Sequence, residues 1–248
     1  MQKLETGPKA PKTPKALQFS ENPTVEEIFQ AHVFPEPLVV VGRKPTRDEN
    51  SALAAALIGY SKRSGPDDFS ALTDFLKRYP KSPWAPALLT GLGLEYYNTA
   101  HYSLAMDAWS EAWTLAKDAT EPQARALADQ ALGELIYMKA RLGRMDEIEE
   151  LLNEIKNRPV SGPATEKVAG VREALWNMKN RPEIAFRCGP LALRSILTSD
   201  QSLQKSSSTN AMMEIFNSAS TTNGFSLSQV AELSKKVGLN CQMAFREK

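Results

Sequence analysis

The sequence predicts a mainly α chain: helical hairpins stacked in series, followed by a smaller α+β unit. Three observations carry this prediction. Apolar residues recur at helical spacing from Thr46 to Met178, interrupted by short turn-forming stretches. Small residues alternate with large aromatic ones where two antiparallel helices must touch. At Phe186-Arg187-Cys188-Gly189-Pro190-Leu191-Ala192-Leu193 the composition and the pattern both change, marking a second unit over residues 181–248.

A length of 248 residues is a prior of one or two domains. The net charge of +1 gives no drive toward nucleic acid or an anionic membrane. No apolar run is long enough to span a bilayer. Two cysteines do not make a disulfide framework, and whether Cys188 and Cys241 pair is left open by the sequence. No cofactor or metal is expected. The N-terminus lacks an apolar core of the kind a signal peptide needs, although a start that is not native would look the same.

In chain order, residues 1–23 form a Lys/Pro-rich N-terminal segment. Pro8, Lys9, Pro11, Lys12, Pro14 and Lys15 cannot bury a core, so this segment is expected to be a solvated, disordered linker. Residues 24–45 are a leading helix and an extended segment. Thr24 and Glu27 make a capping box for a helix through Phe29, and Leu38-Val39-Val40-Val41 is a short extended run expected to lie against the next domain. Residues 46–180 are the repeat domain. Thr46 and Glu49 form a second capping box, and Ala52, Ala55, Ala56 and Tyr60 give one helical face. Ser64-Gly65-Pro66 breaks that helix. The next carries Phe69, Leu72, Phe75 and Leu76, and Ser82-Pro83 opens the one after as N-cap and first residue.

The following hairpin reads Leu89, Leu92, Gly93, Tyr96, a turn at Thr99-Ala100-His101, then Tyr102, Ala105, Trp109 and Ala112. Gly93, Ala105 and Ala112 sit where the helices touch; Tyr96, Tyr102 and Trp109 fill the gaps. This hairpin resembles a tetratricopeptide repeat, departing from it at Ala100 in place of the turn glycine and in lacking the closing proline. A looser copy starts near Pro122 and runs through Leu132, Leu135, Ile136, a turn at Gly143, then Met145, Ile148, Leu152 and Ile155. With the pair from Ala52 to Tyr79 this makes three hairpins, the number needed to bury a continuous core. After the linker Arg158 to Pro163, a helix from Ala164 to Met178 with Val168, Val171, Leu175 and Trp176 is expected to cap the stack. The resemblance implies a protein or peptide partner in the repeat groove. His32 and His101 are expected on the surface, in a leading segment and a tight turn.

Cys188 stands at or just before the N-terminus of a helical run from Leu191 to Leu197, with Pro190 suited to the first turn. The free N–H groups and dipole at such an end favour a thiolate and can hold an oxyanion, and Gly189 permits close approach to the backbone. The competing reading is a small buried hydrophobe. Beyond Leu197 the chain turns polar: Ser206-Ser207-Ser208-Thr209-Asn210, a short apolar stretch from Met212 to Phe216, and Ser218 to Gly224 are together read as loop. Ser226 then starts a helix with Leu227, Val230, Ala231, Leu233 and Val237 inward and Gly238 as its stop, and Leu239 to Phe245 begins an extended run.

Cys188-Gly189-Pro190-Leu191-Ala192-Leu193, the helix at Phe225 to Ala231 and the run after Val237-Gly238-Leu239 resemble the nucleophile segment and following elements of the C39 peptidases and their papain-like relatives. The resemblance covers Glu183 to Lys248, about half of such a domain, and extends to larger bacterial proteins with helical repeats ahead of it. It implies a partial papain-like α+β domain, Cys188 as nucleophile, backbone at Gly189 and Pro190 for the oxyanion, and a location in the cell envelope or outside the cell. Two departures bear on it. The family has a glutamine six residues before the cysteine, where this chain has Pro182. The family's base histidine follows the strand that begins at Leu239, and no histidine follows Cys188 here. Either the chain ends early or the unit is a non-catalytic relative, a repeat scaffold with a structural cysteine. The chain alone is expected not to cleave peptides, because a thiol without a base lacks its proton acceptor.

Overall fold

The structure, a computed structural model, describes residues 17–199 and 209–244. The Lys/Pro-rich tail expected to be disordered and the Ser206 to Ser208 part of the polar stretch lie outside the described residues, apart from the end of the tail from Leu17 on. The protein is mainly helical. Its helices are α1 (Val25–Phe29), α2 (Arg47–Ser61), α3 (Ser70–Arg78), α4 (Ala85–Asn98), α5 (Tyr102–Ala116), α6 (Pro122–Arg141), α7 (Met145–Glu154), α8 (Ala164–Asn180), α9 (Pro182–Ala185), α10 (Cys188–Ser199), α11 (Thr209–Asn217) and α12 (Leu227–Lys236). The chain divides into two compact units, Met1–Ala131 and Leu132–Lys248, with the boundary inside α6.

In the first unit local chemistry starts the helices where the sequence places them. Thr24 and Thr46 each accept a hydrogen bond from the backbone N–H of the glutamate three residues on, and that glutamate accepts from the cap N–H in return. Helices α2 and α3 pair, as do α4 and α5. The core face of α2 is Leu53, Ala56, Leu57 and Tyr60, whereas Ala55 is exposed. The expected alanine face is therefore rotated, because the larger apolar side chains Leu53 and Leu57 have more surface to remove from water. In the α4–α5 hairpin, Leu89, Leu92, Tyr96, Ala105, Trp109 and Ala112 are all buried as expected. A Cβ on Gly93 would lie 2.6 Å from Trp109 Cδ1, so the indole occupies the room that the glycine leaves. Tyr102 is exposed, contrary to expectation, and meets Tyr97 edge-on at 5.6 Å. Helix α4 begins at Ala85, with Pro86 in its first turn. Ser82 instead belongs to the preceding turn, where its Oγ accepts from the Trp84 N–H at 3.4 Å.

The leading segment is part of this unit. Ile28, Phe34 and Leu38 are buried. The Asn50 side chain donates to the Pro23 carbonyl at 3.0 Å and accepts from the buried Trp84 indole N–H at 2.8 Å, which ties the start of the segment through α2 to the turn before α4. Further on, the Val41 N–H donates to the Pro83 carbonyl at 2.9 Å. Arg43 makes a two-pronged pair with Glu49, at 2.6 and 2.8 Å. That guanidinium, helped by the Thr46 N–H, draws the Glu49 carboxyl down from its ordinary 4.5 to about 2.

In the second unit α8 packs against α7 and α9, and Lys167 and Lys179 pair with Glu134 and Glu149. Val168, Val171 and Met178 are buried while Trp176 is exposed. Trp176 lies five positions after Val171, about 140° round the helix at 100° per residue, and so off the core stripe. Helices α10, α11 and α12 enclose a small core of Leu193, Leu197, Ala211, Ile215, Leu233 and Val237. Thr209 to Asn217, expected as loop with an apolar interruption, is helical, because Ala211 and Ile215 stand one turn apart and bury together. Ser226 forms its capping box with Gln229, and Gly238 adopts φ +84° while the Leu239 N–H returns to the Ser234 carbonyl at 2.8 Å. Leu227, expected inward, is exposed as the first helical residue. Among the described residues there is no β-strand; Thr221 and Gly224 form an isolated bridge. Residues 239–244 are irregular, since an extended run becomes a strand only against a partner edge.

Candidate functional site

Cys188 is the first residue of α10, and its side chain is exposed. It is therefore not a buried hydrophobe. The helix starts three residues before the expected run, and the Leu191 N–H donates to the Arg187 carbonyl at 2.9 Å to close its first turn. The N–H groups of Cys188 and Gly189 belong to this turn, where a helix offers them no carbonyl of its own. Pro190 is buried and carries no N–H, so it contributes shape alone. The missing side chain of Gly189 is accounted for by packing. A Cβ there would lie 2.5 Å from Val230 Cγ2 and 3.5 Å from Phe225 Cβ. The glycine thus lets α10 approach α12, and the room beside its Cα is already filled.

Cys188 and Cys241 are both free thiols. Cys241 is half-buried against the α10–α12 core, with its N–H donating to Ser234 Oγ at 3.0 Å. No histidine occurs anywhere in residues 132–248. His32 and His101 belong to the first unit, and both are exposed. His101 Nδ1 lies 3.0 Å from Thr99 Oγ1 and 4.0 Å from Asp67 Oδ1, with its ring edge-on to Phe69. His32 has φ +45° and turns the chain out of α1. Pro182 opens the short helix α9.

Two features escaped the sequence reading. Arg187, next to the thiol, donates through Nη2 to the carbonyls of Ile215 at 2.7 Å and Phe216 at 3.1 Å, closing the C-terminal end of α11. Nothing in the sequence marks that contact, which joins residues 28 apart. The second is the seat of Phe34. Its ring stacks on Tyr60 of α2 at 5.9 Å between centroids and lies on α4, where a Cβ on Gly91 would come within 2.7 Å of it. Pro35, Glu36 and Pro37 continue over α4 and α6, beside Leu94 and Leu127. A glycine in mid-helix, two residues before the Gly93 that Trp109 requires, was the available signal.

No family model, curated protein or solved structure matches this chain. Among the described residues no helix is long and apolar enough to cross a membrane, and no group of three or more His, Cys, Asp or Glu side chains is placed to hold a metal ion.

Proposed function

We propose that this chain is a protein- or peptide-binding module of tetratricopeptide-like repeats, joined to the nucleophile-bearing half of a C39-like, papain-like α+β cysteine peptidase domain. One observation supports the binding role above others: the face built by α2, α4 and α6, the first helices of the three hairpins, carries an extended segment over Gly91. At Cys188 the chemistry would be attack by the thiolate on a peptide carbonyl, loss of the amine to give a thioester, and hydrolysis by water. The N–H groups of Cys188 and Gly189 would receive the oxyanion. Proton transfer to the leaving amine requires a histidine, which residues 132–248 do not contain.

The scaffold reading, with no peptidase chemistry, is favoured by Val230 filling the room beside Gly189. A fluorogenic peptide library separates the two. The 248-residue chain and its Cys188→Ala variant are expected to be equally silent. A chain that also carries a histidine-bearing segment after Lys248 should turn over, and Cys188→Ala should abolish that turnover. Cysteine-dependent turnover by the 248-residue chain would overturn the requirement for an added base. Silence from the extended chain would leave the scaffold.

A further inference from the structure

The segment from Val33 to Val41 is held by hydrogen bonds at its ends and by apolar burial alone in its middle. Before it, the α1 capping box and the Asn50–Pro23 hydrogen bond anchor the chain. After it, Val41 and Arg43 anchor it again, through Pro83 and Glu49. Between those anchors, no hydrogen bond or ion pair joins His32 to Val40 with the helices beneath, among the described residues. What holds the middle is apolar contact: Phe34 on Tyr60 and Gly91, and Leu38, both side chains buried. Pro35 and Pro37 remove donors and favour an extended backbone in advance. The chain turns sharply at both ends of the segment. His32 has φ +45° and Gly42 φ +77°, both in the left-handed region, and both residues are exposed.

A segment without directional bonds, pre-extended and seated by one aromatic ring on a glycine, has the character of a bound peptide. We propose that Phe34 to Leu38 is the resident, intramolecular ligand of the repeat face, and that this face takes, in exchange, an extended partner segment with an aromatic residue followed by prolines and an aliphatic. This rests on the binding role proposed above and adds the partner's chemistry and its regulation. The hydrogen-bond-free middle can leave while the anchors on both sides keep the chain in place. Because the segment is tethered, its effective concentration at the face is in the millimolar range, and a free peptide competes against that. Phe34 is the anchor on the ligand side and Gly91 its seat.

The test uses the full chain and a fluorescent peptide copying Val33 to Val41, read by anisotropy. Phe34→Ala weakens the resident segment, so the probe is expected to bind this variant at least tenfold more tightly than the wild type. Adding Gly91→Val to Phe34→Ala fills the seat with a side chain where the ring had been, and probe binding is expected to disappear. Phe34 is buried, so its variant carries a risk of misfolding. A second arm therefore keeps every side chain: a protease site is placed in the exposed turn Gly42 to Lys44 and cut, after which the probe should exchange in with wild-type contacts. Equal binding to wild type, Phe34→Ala and the cut chain would keep the face as a peptide site and overturn its intramolecular occupancy. No binding to any form, with the cut chain still intact by size exclusion, would overturn both readings. A dimer with exchanged segments would identify the partner as a second copy and overturn an external peptide.

Discussion

The α4–α5 hairpin and the α10–α12 cluster are both built from helices of about 9 to 15 residues, yet they bury their side chains very differently. In the hairpin the packing is reciprocal. Trp109 is 1% exposed because Gly93 yields it space, and its indole N–H reaches the Thr90 carbonyl at 3.3 Å. In the cluster six side chains are buried among the described residues, with Met212, Val230, Leu239 and Cys241 partly buried against them, and Leu191, Ile196, Met213 and Phe216 face outward on the same helices. Helix count therefore does not set how much is buried. Burial follows where a large side chain has a matching vacancy on its neighbour, as Trp109 has at Gly93. On this basis the first unit is expected to unfold at higher urea than the second, with the fluorescence of buried Trp84, Trp109 and Trp113 reporting on it.

The strongest way to break that comparison is Trp109→Ala, which removes the large partner and leaves the vacancy. A loss of about 3–5 kcal/mol is expected in urea unfolding, as for a buried aromatic truncation. A loss below about 1 kcal/mol would mean that the hairpin does not depend on its interlock. Gly189→Ala asks the same of the cluster. The new methyl would meet Val230 Cγ2, and because Val230 is only half-buried it can yield in part. Overpacking at this site should cost about 1–3 kcal/mol, and the double change Gly189→Ala with Val230→Ala should recover most of it. If the single change is silent, α10 and α12 are not in the contact described.

A smaller effect of opposite sign is expected in the turn of the hairpin. Ala100 stands at φ +64°, a conformation that disfavours a Cβ. Ala100→Gly should stabilise by up to about 1 kcal/mol, the left-handed penalty less the extra freedom glycine gains when unfolded. Thermal melting that moves downward instead would place that strain elsewhere. The smallest effect concerns pH. Glu49 has a folded pKa of about 2 against an ordinary 4.5, so its ionised form is favoured by folding. Its contribution is complete above about pH 4.5 and fades as pH falls toward 2. Arg43 is half exposed, so solvent screens the pair. Arg43→Gln should flatten the stability profile between those two pH values and leave it unchanged in shape near neutrality.

What was legible in the sequence was local. The two capping boxes at Thr24 and Thr46 form, because each needs only residues three apart, and Ser226 starts its helix as expected. Gly143 and Gly238 adopt positive φ at the helix ends where their spacing put them. The turn at Thr99-Ala100-His101 was legible, and Ala100 takes a positive φ there without a glycine. What was not legible depended on partners distant in the chain. The seat of Phe34 joins residues 57 apart in sequence, Phe34 and Gly91, and no window of helical periodicity contains both. Thr209 to Asn217 was obscured by its polar neighbours, since its core contacts lie on α10 and α12. Cys188 was singled out by its helix end, but what fills the space beside Gly189 turned on Val230, 42 positions away from Cys188.

Arg187 gives the cluster a property that neither helix has alone. Its guanidinium holds the last carbonyls of α11, while its own carbonyl receives the Leu191 N–H that closes the first turn of α10. One residue is thus the closing bolt of one helix and the threshold of the next. Fraying at the end of α11 would release the guanidinium, so the amide protons of the two segments are expected to exchange with deuterium as one cooperative unit. The backbone geometry under the exposed thiol then depends on a helix that contributes no atom to its chemistry.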